Sequence, residues 1–285
     1  MNFKNTLLPI QTTLQSKGRV LDISQPVVMG ILNATPDSFY NKGQDSDTEG
    51  LLRNAEKMLN EGAAILDIGG ASTKPGALLI SPEEEMERII PVIAAIHSRF
   101  PDTWLSVDTY NALTASAAIA AGASIINDVS SGRFDEDMLQ TVAALKVPYI
   151  AMHMQGSPET MQQDPRYDDA VTEVRSYLQD SCEQCNKAGI TDIIIDPGFG
   201  FGKTVEHNFQ LLNALHTFRI SGKPILAGIS RKSMVCKPLH VNPENALNGS
   251  TALHMAALQQ GTSILRVHDV KEAAEVITLY KQFNF

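Results

Sequence analysis

Carboxylates, amides and cations recur in this chain just past short apolar runs: Asn33, Ser72 with Thr73, Asp108, Asn127 with Asp128, His153, Asp196, Ser230-Arg231-Lys232, and Arg266 with His268. Turns and helix caps favour Asn, Asp and Ser on their own account, so any one of these positions has an ordinary explanation. Capping does not account for Lys232, Arg266 or His268, nor for acids and amides alternating with cations. Asp108, Asn127 and Asp196 offer acceptors and an amide to a flat, nitrogen-rich heterocycle, and Asp196 can accept two parallel hydrogen bonds from an amino-pyrimidinone edge. Asn33, Arg266 and His268 suit an anionic group, with a metal where one is needed. A ligand with two chemically different ends is implied.

Residues so scattered meet only if the fold gathers them. From about residue 26 onward, short β-branched runs alternate with longer stretches of helical period, the signature of βα units around a parallel sheet. Strands are expected near 27–32, 65–68, 104–107, 124–126, 147–151, 192–195, 224–229 and 263–267. Ser81, Pro82 and Glu84 read as the cap, first turn and capping-box acid of one helix, and Gly62, Gly122, Gly189 and Gly261 as helix-ending glycines. Eight such units without a linker fit a single-domain (β/α)8 TIM barrel over residues 26–285. Residues 1–25 fall outside the repeat, where 11–14 and 19–23, separated by Ser16-Lys17-Gly18, resemble an N-terminal hairpin extension covering one barrel end. In a barrel the C-terminal strand ends share one face, so one pocket collects every polar position named above.

The 285 residues carry 23 Lys and Arg against 32 Asp and Glu, a net charge of −9. That balance is the wrong sign for a nucleic-acid or anionic-membrane binder. No stretch approaches the roughly 20 apolar residues of a bilayer span. The three cysteines, Cys182, Cys185 and Cys236, have no disulfide-framework spacing, so a cytoplasmic protein is expected. Cys182 and Cys185 form a CxxC inside a helical stretch without a second ligand pair, which reads as structural rather than zinc-binding. The segment 196–204, DPGFGFGKT, lacks the first glycine of a P-loop and has the wrong glycine spacing for a dinucleotide fingerprint. It remains a loop whose backbone approaches a ligand, with Phe199 and Phe201 as walls. The segments GGASTKPG and ATPDSF have the composition of loops that close over substrate.

Taken in order, GILNATPDSF, DIGGASTKPG, SVDT, INDVS, MHMQG, DPGFGFGK, GISRKSM and RVHDV resemble the dihydropteroate synthases, pterin-binding enzymes of folate biosynthesis. The resemblance runs from about Pro26 to Phe283. It implies a (β/α)8 barrel, a homodimer, and small-molecule substrates without nucleic acid or membrane. It implies condensation of 6-hydroxymethyl-7,8-dihydropterin diphosphate with p-aminobenzoate to 7,8-dihydropteroate and diphosphate, by a dissociative route. By the same resemblance Asp108, Asn127, Asp196 and Lys232 bind pterin; Asn33, Thr73, Arg266 and His268 bind diphosphate; and Thr73, Pro75, Phe201, Ser230 and Lys232 bind p-aminobenzoate. Asp37, Lys232 and Asp108 are the implied catalytic residues, and Asn33 the ligand of Mg2+. No nucleophilic side chain is required, and the chain has no GxSxG elbow.

Two segments depart from the family pattern. GASTKPG stands where GESTRPG is common, so Ala71 replaces a glutamate and Lys74 an arginine, keeping charge but losing the planar fork. FYNKGQ stands where FSDGG is usual, placing Lys42 in the first loop. Two other functions fit parts of the sequence. A pterin-dependent methyltransferase shares the barrel and the Asp/Asn pocket, but SRKS and RVHDV have no evident role in it. A non-catalytic pterin-binding subunit is suggested by Ala71 and Lys74, against which stand Asp37, Lys232, Arg266 and His268.

Overall fold

The computed structural model describes residues 10–34, 44–70 and 80–283. Strands β1 (Thr13–Ser16) and β2 (Arg19–Asp22) form an antiparallel hairpin in which Ser16 faces Arg19. Lys17 and Gly18 therefore make the whole turn, with φ of 50° and 75°, both left-handed as a type I′ hairpin demands. Pairing begins two residues later than the sequence pattern suggests, because Gln11 is otherwise engaged. Its N–H donates to the Gly222 carbonyl at 3.0 Å and its amide to Asp192 Oδ1 at 2.6 Å.

Eight parallel strands follow: β3 (Val27–Asn33), β4 (Ala63–Gly69), β5 (Trp104–Asp108), β6 (Ile125–Asp128), β7 (Tyr149–Met152), β8 (Ile193–Asp196), β9 (Leu226–Ala227) and β10 (Ile264–Val267). Their spatial order is β8-β7-β6-β5-β4-β3-β10-β9, and a parallel bridge between Ile195 and Ile225 joins the outer two into a nearly closed barrel. The (β/α)8 architecture expected from the sequence is the one observed. Strand β9 is shorter than its apolar run for a local reason. Pro224 has no N–H to give, and the Ile229 carbonyl already accepts the Lys232 N–H at 3.2 Å in a turn.

The helices between strands are α1 (Gln44–Asn60), α2 (Pro82–Arg99), α3 (Ala112–Ala121), α4 (Met138–Leu145), α5 (Ala170–Ala188) and α6 (Val205–Asn213); α7 (Ser233–Leu239) and α8 (Leu247–Gln259) both follow β9, and α9 (Val270–Tyr280) closes the chain. Ser81 caps α2 by accepting the Glu84 N–H at 3.2 Å. The Glu84 carboxylate does not return to the cap but pairs with Arg88, which in turn donates to the Gly70 carbonyl at 2.8 Å. The expected capping box is thus half formed, its acid drawn off by a better partner.

Strand periodicity separates the core into two shells. Val28, Leu66, Leu105, Ile126, Tyr149, Ile193, Ala227 and Leu265 pack outward with the helices. Met29, Ile65, Trp104, Ile125, Ile150, Ile194, Leu226 and Ile264, one per barrel strand, form an interior layer with Leu14 and Ile23 from the hairpin segment. The hairpin is therefore a floor over the N-terminal ends of the strands. Arg19 secures it, lying 5.2 Å from the Trp104 ring and donating to Ser124 Oγ at 2.7 Å. Burying Leu14 completely is worth about 1.5–3 kcal/mol.

Candidate active site

Counting two residues along each strand from the apolar layer reaches Ile31, Asp67, Ser106, Asn127, Met152, Asp196, Gly228 and Arg266. On β4, β6, β8 and β10 the barrel changes from hydrocarbon to charged or amide side chains within one step of the pleat. Two further on stand Asn33, Gly69 and Asp108, with Ser230 and His268 just past β9 and β10.

Arg266 is the centre of this polar layer. Its Nε donates to Asp67 Oδ2 at 2.7 Å and a terminal nitrogen to Asp108 Oδ2 at 2.9 Å, while Asn127 Nδ2 donates to the same Asp67 oxygen at 3.1 Å. Asp67 is fully buried and Asp108 nearly so. Burial pushes the Asp108 carboxyl up to about 7, with the Arg266 guanidinium pulling against it and Asp67 adding to it. Burial likewise works against the Arg266 charge, but Asp67 and Asp108 hold its pKa above the ordinary value. Two carboxyls share one guanidinium in a hydrogen-bonding wall that gains negative charge as Asp108 loses its proton.

Across the barrel, Asp196 ends β8. Its Oδ1 accepts the Gly198 N–H at 2.7 Å. Burial raises its pKa, opposed first by Lys232 and then by that N–H, Arg266 and Lys203. Lys232 is pushed down to about 8 by burial, which Asp196 partly offsets; Arg266 lowers it further and Asp108 raises it. The Lys232 ammonium donates to the Phe199 carbonyl at 2.5 Å and lies 4.6 Å from the centre of the Phe201 ring. The pocket therefore holds ionisable groups whose charge states lie close to neutrality, as binding and catalytic sites do.

At the rim, the His268 N–H donates to Ser230 Oγ at 3.3 Å and its Nδ1 lies 3.1 Å from the same oxygen. Burial, then Arg266 and Arg231, push His268 down to about 4, so the ring is neutral at pH 7. Arg231 takes the left-handed region at φ 58° and forks onto Asp269, Nε to Oδ2 at 3.0 Å. That fork turns Arg231 away and leaves Ser230 and Lys232 facing the barrel mouth.

The comparisons with known proteins agree with this chemistry. The pterin binding enzyme family matches residues 29–268. Dihydropteroate synthase of Escherichia coli strain K12 is 45% identical over 266 residues, covering 93% of this chain and 94% of that protein. The Haemophilus influenzae enzyme of the same name is 43% identical, covering 94% and 98%. The chain belongs to the dihydropteroate synthase family. Among solved structures, a Yersinia pestis dihydropteroate synthase in a sulfonamide complex matches with a TM-score of 0.89 at 44% identity, over 94% of this chain and 98% of that one. A Xanthomonas albilineans dihydropteroate synthase in complex with 7,8-dihydropteroate matches with a TM-score of 0.85 at 39% identity, over 94% and 97%.

Measured against the synthase positions expected from the sequence, Asp108, Asn127, Asp196, Lys232 and Arg266 converge inside the barrel mouth, with Ser230 and His268 beside them. Asn33 is exposed at the end of β3. Asp37, Thr73 and Pro75, together with Lys42, Ala71 and Lys74, lie outside the described residues. Cys182 and Cys185 are buried free thiols within α5, pushed up by burial to about 11 and 12, the state of inert packing groups. Trp104 is part of the apolar layer.

Two residues escaped the sequence reading. Asp67 is the buried partner of both Arg266 and Asn127, and its signal was a single charge interrupting the apolar strand ILDIG. Lys203 was weighed only as part of a failed P-loop, yet it is 2% exposed. No helix among the described residues is long and apolar enough to cross a membrane.

Proposed function

We propose that this chain joins 6-hydroxymethyl-7,8-dihydropterin diphosphate to p-aminobenzoate, giving 7,8-dihydropteroate and diphosphate. The observation that carries the reading is one barrel mouth holding Asp196 and Lys232 within electrostatic reach of the Asp67–Arg266–Asp108 triad, in a synthase-family chain. Asp196 accepts from the amino-pyrimidinone edge, Asn127 and Asp108 complete the ring's hydrogen bonds, and Lys232 donates to a ring acceptor. The flat ring then fills the space between the triad and the Phe199–Phe201 segment. Arg266 from the inner polar layer, with His268, Asn33 and Thr73, holds the diphosphate. His268, being neutral, donates one hydrogen bond without adding charge. Phe201, Ser230, Lys232, Thr73 and Pro75 form the p-aminobenzoate side.

In this reading the bond from the pterin methylene carbon to the diphosphate oxygen breaks first, and the electron pair leaves with diphosphate. The arylamine nitrogen then gives its lone pair to the carbon and sheds a proton. Side chains act by electrostatics: the triad with Asp108 ionised, together with Asp37 from the first loop, favours the positive charge that develops on the pterin. The residues fit Mg2+ in a limited way. Among the described residues no group of three or more His, Cys, Asp or Glu could hold a metal, while the exposed Asn33 amide offers one hard oxygen. That suits a cation bound mainly by phosphate oxygens and water, which neutralises leaving-group charge when present.

The chain is further read as a cytoplasmic homodimer, the β1–β2 hairpin serving as barrel floor rather than as part of the site. The test of activity is to mix protein, Mg2+, the pterin diphosphate and p-aminobenzoate and to measure dihydropteroate with released diphosphate. Folded protein that binds pterin and turns nothing over would overturn the catalytic reading in favour of a binding subunit.

A further inference from the structure

Lys203 is a buried ammonium that meets no carboxylate directly. Its Nζ lies 2.9 Å from each of the Gly198 carbonyl, the Phe201 carbonyl and His153 Nδ1, with the His153 carbonyl at 3.4 Å. Three N–H donors thus meet three close acceptors. Accepting at Nδ1 fixes His153 as the neutral Nε2–H tautomer, and burial, with Lys203 and Arg133, depresses its pKa to about 2. The two carbonyls bracket Phe199, whose own carbonyl accepts from Lys232. Gly198 also gives its N–H to Asp196. One side chain therefore ties down both ends of the segment through which Asp196 and Lys232 are held.

Hydrogen bonding to carbonyls does not by itself call for an ammonium, whose burial is costly without a counter-charge. Burial pushes the Lys203 pKa well down and Lys232 lowers it further, with the attraction of Asp196 opposing both. We propose that Lys203 is a positioning residue for pterin binding: it clamps the Gly198–Phe201 turn that holds Asp196 and Lys232 in place, without touching substrate. This rests on the reading of Asp196 as the pterin's partner.

The charged groups around the pair are few. Asp196 faces Lys232, Arg266 and Lys203; Lys203 faces Asp196 and Lys232. Asp108, which titrates in the same pocket, faces Arg266, Asp67, Glu85 and Asp128. Lys203 also faces His153 and lowers its pKa, so the His153→Ala variant is what separates a shift at Asp196 from one at His153. Loss of the nearby cation raises the Asp196 pKa, so binding that needs the carboxylate fails at a higher pH.

The experiment is calorimetric titration of the full chain with 6-hydroxymethylpterin from pH 5.5 to 8.5, alongside thermal melting. Lys203→Gln keeps hydrogen-bond donors and loses charge; Lys203→Met keeps only the stem. Both variants are expected to move the acid midpoint of binding upward by about half a pH unit or more, and so to weaken affinity on its acid side by roughly threefold or more. His153→Ala, which removes an acceptor but no cation, is expected to keep the wild-type midpoint. A folded Gln or Met variant with wild-type affinity and midpoint would overturn the proposal, as would an equal midpoint shift in His153→Ala. If Asp196→Asn still binds pterin normally, the reading of Asp196 itself fails. If that variant is silent while Lys203→Gln is unaffected, only the role of Lys203 fails.

Discussion

Replacing Arg266 by Met keeps the side-chain stem and removes the guanidinium that lies between Asp67 and Asp108. The wild-type contacts are 2.7 and 2.9 Å, and the two carboxylates are 0% and 9% exposed. Removing one partner of a buried ion pair typically costs about 3–5 kcal/mol, because the remaining charge is stranded. Here the cost must depend on pH, since a stranded carboxylate escapes by taking up a proton. In the wild type Asp108 titrates near 7, already raised by burial and restrained by Arg266. Without Arg266 its folded pKa moves higher.

Below about pH 7 Asp108 is protonated in both folded proteins and ionised in both unfolded ones, so their stabilities fall together as pH rises from the ordinary carboxylate range. Above pH 7 the wild type has lost its proton and levels off, while the mutant goes on losing about 1.4 kcal/mol per pH unit until its own pKa is passed. Lys232 adds to the divergence. Arg266 helps hold its folded pKa near 8, so above that pH the wild type gains stability as the buried amine is released from charge, and the mutant gains it later. Both contributions carry one sign. Urea unfolding followed by circular dichroism at pH 6, 7, 8 and 9 should show a stability gap that widens by about 2–3 kcal/mol between pH 7 and 9. A gap that is constant, or that narrows with pH, refutes the buried triad.

Other substitutions probe separate parts of the barrel. Asp196→Asn loses the charge and one acceptor, and should weaken pterin binding by about 1.5–3 kcal/mol per lost charge-assisted bond, roughly 10- to 150-fold by calorimetry; near-normal affinity in folded protein would count against the assignment. Gly198→Ala would place a Cβ 1.9 Å from the His153 carbonyl oxygen at φ +70°, so a loss of at least about 3 kcal/mol is expected in urea unfolding. His254 in α8 is buried with no hydrogen-bond partner at either ring nitrogen, and burial pushes it down to about 4. Its folded pKa lies below the unfolded value, so its contribution is full above about 6.5 and is lost as pH falls toward 4. His254→Leu should therefore lose less stability than the wild type between pH 7 and 5, a difference of up to about 2 kcal/mol in urea unfolding.

How much of this was legible beforehand follows from what local pattern can encode. Strand positions were readable because β-branched runs and helix-ending glycines are local signals, and the loop acids and cations were readable because each stands at a strand end. Asp67 was not, since its meaning depends on Arg266 on β10, which lies beside β3 and one strand away from Asp67 on β4. Only the closed order of strands makes a residue near the start of the chain the counter-ion of one near its end. Lys203 fails to show for a related reason: a lysine after a glycine-rich run reads as an anion ligand until the fold turns it inward onto three acceptors. The period-two rule carries further than it was first taken. Applied from the one apolar layer through all eight strands, it selects Asp67, Asn127, Asp196 and Arg266 together. The division between pterin residues and diphosphate residues is blurred by the same geometry. Arg266 spends two donors on the carboxylates of the ring pocket, so a change at this position should disturb both ends of the ligand rather than the anionic one alone.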